Sequence, residues 1–210
     1  MGWATAWMLI SVVLVFLVIR VVNDVETLST GNLPAEGEFD RRYALNPALA
    51  YAHIIPGAVY LIGAPLQLSR RIRSRSLGFH RAWGKVVLVA GIITAVFAIA
   101  VGIVMPFGGF AETSASVVFG TYFLVALVLA YRAIRRGEVT THRCWMIRAF
   151  ALGVAVGLIR IIVGVFEGVG TLGFSEAFGL SFWLAFLIMT LAAEIWLRLR
   201  PHPLVFEPTV

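Results

Sequence analysis

Long apolar runs separated by short charged segments make up most of this 210-residue chain. A helix crosses the roughly 30 Å hydrocarbon core of a bilayer with about 20 mainly apolar residues. Six runs reach or approach that length and predict membrane-spanning helices, at Trp3–Val22, Ala48–Leu68, Trp83–Met105, Ser116–Tyr131, Trp145–Phe166 and Phe178–Trp196. The first run is long for a signal peptide and follows no basic segment, so we expect it to be retained. The pattern predicts an all-α integral membrane protein, folded as a six-helix transmembrane bundle.

The charged residues differ in sign between alternate loops. The loop after the second run and the loop after the fourth run are rich in arginine, whereas the opposite loops are mainly acidic. Short loops rich in Lys and Arg stay in the cytoplasm. We therefore expect both termini in the cytoplasm, an external loop at 23–47 and a cytoplasmic tail at 198–210.

The composition is that of a membrane protein and excludes other classes. Hydrophobic residues make up 60% of the chain and charged residues 13%, and the mean hydropathy is +0.92. In soluble domains, about 45–50% of the residues are apolar and about 25% are charged. These values exclude a water-soluble enzyme and a nucleic-acid partner, so the net charge of +6 reflects orientation in the lipid bilayer, the predicted partner. The lone cysteine, Cys144, excludes a disulfide framework.

An ungapped match appears when the sequence is shifted on itself. A shift of about 62 residues pairs Arg70 with Arg132, His80-Arg81 with His142-Arg143, Trp83 with Trp145 and Gly91 with Gly153. Each copy is one helical hairpin, so both copies have the same orientation in the membrane. The match predicts two parallel helical-hairpin repeats, at about 50–111 and 112–173, which build a four-helix core over 48–167. The first helix, 1–22, and the sixth helix, 178–197, flank this core.

Several short motifs occur in order along the predicted core. They are His53-x-x-Pro56-Gly57, Gln67, His80-Arg81-x-x-Gly84, His142-Arg143-x-Trp145-Met146-x-Arg148 and Arg160. In these motifs the chain resembles a family of bacterial predicted membrane proteins, domain of unknown function 2306 (DUF2306), over roughly Tyr43 to Glu167. The resemblance implies a bacterial inner-membrane location and supplies no activity, so a function must come from the chemistry of the residues.

The two histidines of the repeat predict a cofactor site. His80 and His142 start helices that run in the same direction, so they lie at a similar depth near the cytoplasmic side. Imidazoles that face each other across a helical bundle are suitable axial ligands for haem iron. Arg81, Arg143 and Arg148 are placed to neutralise the haem propionates. These residues predict binding of haem b.

Room for a haem and the number of haems also follow from the sequence. Gly84, Gly91 and Gly153 provide small residues beside a porphyrin. The plan is similar to that of the ascorbate-reducible transmembrane cytochromes b, in which histidines on four successive helices hold two haems. Here the repeat equivalent of His53 is Ala115, which has no ligand atom, so we expect at most one bis-histidine haem. The hypothesis is a redox or sensing protein with an electron-transfer partner or a quinone.

Other interpretations of the same residues remain open. The His-Arg-x-Trp sequence is also typical of an interfacial anchor, in which Arg and His contact lipid phosphates while Trp lies at the headgroup level. A metal site could combine His80 and His142 with Cys144 or His202. Cys144 lies only two residues from His142, however, and two helical residues at that spacing do not face each other.

A second candidate site lies at the opposite side of the membrane. Arg160 lies roughly 22 Å along its helix from Trp145, at about 1.5 Å per residue, and a charge at that depth is costly and needs a partner. Glu167 shares its helix face, and His53 and Tyr60 lie on a polar stripe of the second helix. We expect these four residues to form an outer polar pocket for a small anion, a quinone headgroup or a lipid; the alternative is an Arg160 side chain that extends to the surface.

These observations leave three classes of function open. The first is the haem protein, the second is a transporter or binding protein without haem, and the third is a structural subunit of a larger membrane complex. No motif of hydrolases, zinc proteases or nucleotide-binding enzymes occurs, so no catalytic residue is assigned. We also expect Glu194 to form an ion pair with Arg143 or Arg148.

Overall fold

The computed structural model describes residues 3–170 and 172–199, and these residues form helices without any strand. The eight helices in this part of the chain are α1 (Trp3–Thr30), α2 (Arg41–Leu45), α3 (Pro47–Leu68), α4 (Arg70–Arg75), α5 (Leu77–Val104), α6 (Gly109–Arg135), α7 (Val139–Val169) and α8 (Phe174–Leu199). Six of them, all except α2 and α4, are long and apolar enough to span a membrane. The all-α, six-helix prediction is confirmed. His202 and most of the predicted tail lie outside the described residues.

The helices continue beyond the apolar runs that predict them. The clearest case is α1, which extends to Thr30 and so includes part of the predicted external loop. Asp24 lies in this extension and forms an ion pair with Arg20, one turn earlier in the apolar run, and the hydroxyl of Tyr51 donates to Asp24 at 2.7 Å. A polar helical turn is stable here because its charged groups pair with one another. Hydropathy reports the apolar part of a helix and not its end.

Four helices form the centre of the bundle. Successive helices α3, α5, α6 and α7 pack side by side, α8 packs on α6 and α7, and α1 packs mainly on α7. We call the end that carries α4 and the turn 136–138 the basic end, and the end that carries α2 and the loop 105–108 the acidic end. The starts of α5 and α7 both lie at the basic end.

The ring of Tyr60 fills the middle of this bundle. Tyr60 comes from α3, is 1% exposed and lies edge-on to Phe123 of α6, with ring centroids 5.1 Å apart. A β-carbon built on Gly91 of α5 or Gly153 of α7 would lie 2.9 or 2.7 Å from the ring. Small residues at these two positions let the helices close around the tyrosine. Gly91 and Gly153 are equivalent in the proposed repeat, which itself stays a prediction.

A second close approach joins α1 to α7. Gly157 lies directly against the backbone of Leu9, and a β-carbon at this position would overlap the Leu9 carbonyl group. Gly153 and Gly157 are four residues apart and both lie at helix contacts, a small-xxx-small arrangement that lets helices approach closely. The position of α1 therefore depends on the absence of a side chain at residue 157.

We expect Gly157→Ala to lower the free energy of unfolding in detergent micelles by about 1–3 kcal/mol, because the new methyl group meets backbone rather than a flexible side chain. Gly164→Ala is the matched control, since nothing lies within 4 Å of a β-carbon there and the gain in helix propensity is the same. Reversible unfolding followed by circular dichroism measures both. Equal stabilities of the two variants would contradict the tight α1–α7 contact.

Candidate functional site

The structure brings the two histidines of the repeat together at the basic end. Ser76 caps the start of α5 by accepting a hydrogen bond from the backbone N–H of Phe79, and His80 follows in the first turns. His142 has the corresponding place near the start of α7. The charge of Arg73 in α4 acts on both imidazoles, and the charge of His142 acts on that of His80. The equal depth predicted for the histidines is consistent with this arrangement.

A hydrogen bond orients the imidazole of His142, whereas Nδ1 of His80 has no partner among the described residues. Nδ1 of His142 lies 2.9 Å from the backbone carbonyl oxygen of Ala130. The carbonyl can only accept, so Nδ1 carries the proton and Nε2 has a free lone pair. Nδ1 of His80 is buried and has no hydrogen-bond partner in the described part of the chain. An imidazole that carries its proton on Nδ1 can bind a metal centre such as haem iron through Nε2.

Positive charge is concentrated beside these histidines. Burial, followed by the charges of Arg143 and Arg70, lowers the pKa of Arg73 below its ordinary value. A group whose positive charge is disfavoured in this way gains from an anion placed nearby. The sequence predicts this role for Arg81, Arg143 and Arg148 but not for Arg73, which lies outside the His-Arg motif. Only the folding of α4 back towards the bundle brings it near the histidines.

Arg148 has a different partner. It forms a two-point ion pair with Glu194 of α8, with Nε–Oε1 and Nη2–Oε2 distances of 2.6 and 3.0 Å, and its guanidinium lies 4.7 Å from the centroid of the Trp145 ring. The predicted pairing of Glu194 with an arginine of α7 is confirmed. Two parallel hydrogen bonds hold Arg148 towards α8, so Arg148 serves the α7–α8 contact.

The glycines expected to leave room for a porphyrin are covered by side chains of α3. Gly91 and Gly153 face the ring of Tyr60, and a β-carbon on Gly84 would lie 3.1 Å from Oε1 of Gln67. This corrects the expectation of open space beside these residues. A planar cofactor held by His80 and His142 must therefore lie nearer the basic end than Tyr60.

The structure does not bring the four residues of the predicted outer pocket together. His53 is engaged by α5, with Nδ1 3.0 Å from the backbone oxygen of Thr94, and Tyr60 fills the bundle centre. Glu167 is exposed. Within the described residues, no hydrogen bond or ion pair joins any two of the four. A shared helix face fixes direction only, and two helical turns separate Arg160 from Glu167.

Aromatic rings surround Arg160 instead. Its guanidinium lies 5.1–5.5 Å from the ring centroids of Phe16, Phe39 and Phe178, and Tyr43 interacts with it electrostatically. Aromatic faces attract a cation, most strongly where water is excluded. Phe39 and Tyr43 come from the segment before α3, which folds over the acidic end. No periodic pattern in the sequence indicates this contact.

A buried ion pair closes the acidic end beside this cluster. Arg42 lies 3.3 Å from Glu112, whose side chain is 3% exposed, and it also donates to the backbone oxygen of Met105 at 2.9 Å. Glu112 accepts hydrogen bonds from the backbone N–H groups of Phe107 and Gly108 at 2.6 and 2.7 Å. The carboxylate thus holds the α5–α6 loop and the segment before α3 in place. Its many partners give this end a structural role.

We expect Glu112→Gln to lower the free energy of unfolding by about 3 kcal/mol, because the change leaves Arg42 buried without a counter-charge. Glu167→Gln makes the same replacement of a carboxylate by an amide at an exposed position, and it should leave the free energy of unfolding unchanged. Unfolding of both variants in mixed micelles measures the difference. If Glu112→Gln were as stable as Glu167→Gln, the ion pair would not hold this end closed.

The described residues contain no group of three or more His, Cys, Asp or Glu side chains that could hold a metal ion, and His202 lies outside them.

Most of the chain matches one family of known proteins. A family model described as "Predicted membrane protein (DUF2306)" matches residues 50–197. The match continues through α8, beyond the end expected near Glu167. Curated proteins and solved structures give no match.

Proposed function

The chain belongs to the DUF2306 family of predicted membrane proteins, and we propose that it binds one haem b at the basic end as a redox or sensing protein. His80 and His142 are the axial ligands. The observation that carries the proposal is that these two histidines lie near the starts of α5 and α7, at the same end of the bundle, where the charge of His142 acts on His80. When bound, the haem supplies one-electron chemistry.

The residues around the histidines would hold such a group. The hydrogen bond from Nδ1 of His142 to Ala130 fixes the ring and raises the basicity of Nε2, as hydrogen-bond partners of metal-ligating histidines commonly do. Arg73 and Arg143 supply positive charge for the propionates, and Arg81 interacts with His80 from the next position along the chain. Ligands and counter-charges therefore fit one bis-histidine haem.

Reduced-minus-oxidised visible spectra of the purified protein, made with full haem supply, test this proposal. We expect a Soret band and an α band, both lost in His80→Ala and in His142→Ala. His53→Ala is the matched control, because His53 lies in the same bundle but hydrogen-bonds Thr94. Haem content per chain, measured as the pyridine complex, gives a second readout. A featureless spectrum from folded wild-type protein would leave the His-Arg-x-Trp segments with the role of interfacial anchors.

We place the protein in a bacterial inner membrane with both termini and the basic end in the cytoplasm. The support is the arginine content of α4 (Arg70–Arg75) and of the last turn of α6, since short arginine-rich segments stay inside. Green fluorescent protein inserted at the turn 136–138 should fluoresce, because it folds in the cytoplasm. Alkaline phosphatase inserted there should be inactive, and at 32–35 it should be active. The reverse pattern would invert the orientation.

A further inference from the structure

Three buried nitrogen atoms near the basic end have no hydrogen-bond partner in the described residues. They are Nε2 of Gln67, Nδ1 of His80 and Nε1 of Trp83, and we call them the donor cluster. Gln67 is 7% exposed. The amide and the indole can only donate through these atoms, and the imidazole nitrogen donates in one of its two tautomers. A buried donor without an acceptor costs free energy, so the cluster indicates a ligand that brings oxygen acceptors.

The donor cluster lies in one place, where α3 and α5 cross. A β-carbon on Gly63 of α3 would lie 3.2 Å from Nε1 of Trp83, and one on Gly84 of α5 would lie 3.1 Å from Oε1 of Gln67. Each helix thus receives a polar side chain of the other against a glycine. Gln67 is one turn beyond Gly63. His80 is one turn before Gly84, so helical spacing puts it on the face of α5 that meets α3.

An apolar groove leads along α3 to the same place. Its volume is about 420 Å³, and it runs between α1 and α3. The groove is lined by Leu17, Val21, Ile54, Ile55, Ala58 and Ile62, with Tyr51 and Val59, and it reaches Trp83. We call it the α1–α3 groove. It exists because α1 packs mainly on α7 and touches α3 only slightly. From Tyr51 to Ile62 it is roughly 16 Å long, at about 1.5 Å per residue.

We propose that the α1–α3 groove and the donor cluster together bind one isoprenoid quinone. The apolar tail lies in the groove, and the carbonyl oxygens of the ring accept hydrogen bonds from Trp83 and Gln67, with His80 as the third donor. The groove has an apolar lining, which suits an isoprenoid tail. The Gln67 amide and the Trp83 indole are neutral donors. A phosphate beside them would therefore be a buried charge without a counter-charge. This proposal does not require that haem is bound.

Binding of a short-tailed ubiquinone to the full chain in phosphatidylcholine nanodiscs tests the proposal. Quinone retained on the immobilised discs is quantified by chromatography, and empty discs give the amount that partitions into lipid alone. We expect saturable binding of the tailed quinone and little binding of the tail-less dimethoxybenzoquinone. Trp83→Phe and Gln67→Leu should each weaken binding about fivefold, the effect of one lost neutral hydrogen bond.

Variants in the groove test the contribution of the quinone tail separately from that of the quinone ring. Ala58→Phe fills the α1–α3 groove and should weaken binding at least about tenfold, as expected for a tail that loses its buried apolar contacts. Val96→Phe adds an aromatic ring on the exposed face of α5, outside the groove, and should bind as wild type does. If Ala58→Phe does not fold, Ile55→Trp at the exposed rim replaces it.

Two results would overturn the proposal. In the first, Trp83→Phe, Gln67→Leu and the folded groove variant all bind the quinone with wild-type affinity, which would show that the quinone binds elsewhere. The other is loss of quinone binding when phosphatidylglycerol replaces phosphatidylcholine in the discs, which would assign the groove to an anionic phospholipid. Haem content is not a readout of this experiment, so its outcome is independent of the spectra that test haem binding.

Discussion

The ring of Tyr60 sets the spacing of the central helices, and the positions of both candidate binding groups depend on that spacing. Tyr60 meets Phe123 of α6 and passes between Gly91 of α5 and Gly153 of α7. Within a bilayer, apolar side chains gain nothing by leaving water, so close packing against small residues drives helix association. A side chain on either glycine would move α5 and α7 apart. The histidines at the starts of these helices would then separate as well.

The two ends of the bundle differ in how completely their polar groups are paired. At the acidic end, Glu112 accepts hydrogen bonds from the Arg42 guanidinium and from two backbone N–H groups, and aromatic rings surround the guanidinium of Arg160. Nε of Arg42 is the buried nitrogen without a partner at this end of the described chain. At the basic end, buried nitrogens of Gln67, His80 and Trp83 are left without acceptors. A protein in lipid must satisfy its polar groups internally or with a ligand. This contrast is why a binding role is assigned to the basic end and a structural role to the acidic end.

His80 takes part in both proposed sites through different atoms. In the two proposals its Nε2 would bind the haem iron, and its Nδ1 would donate to the quinone together with Gln67 and Trp83. Metal-ligating histidines commonly donate through the second ring nitrogen to a neighbouring group. Two ligands that share one imidazole are close enough for each to influence the other. The same end also carries the excess of positive charge around Arg73, which suits the anionic groups of a haem.

The sequence by itself determined the six helices, the opposite charges of the two ends and the ion pair of Glu194 with an arginine of α7. These features are local or depend only on depth along a helix, which hydropathy and residue spacing record directly. The tertiary structure decided that Arg73 lies beside the histidines, that Phe39 and Tyr43 cover Arg160 and that Tyr60 fills the space beside the glycines. The partner of a side chain on another helix depends on how both helices are rotated and how closely they approach. No single helix carries that information in its own pattern.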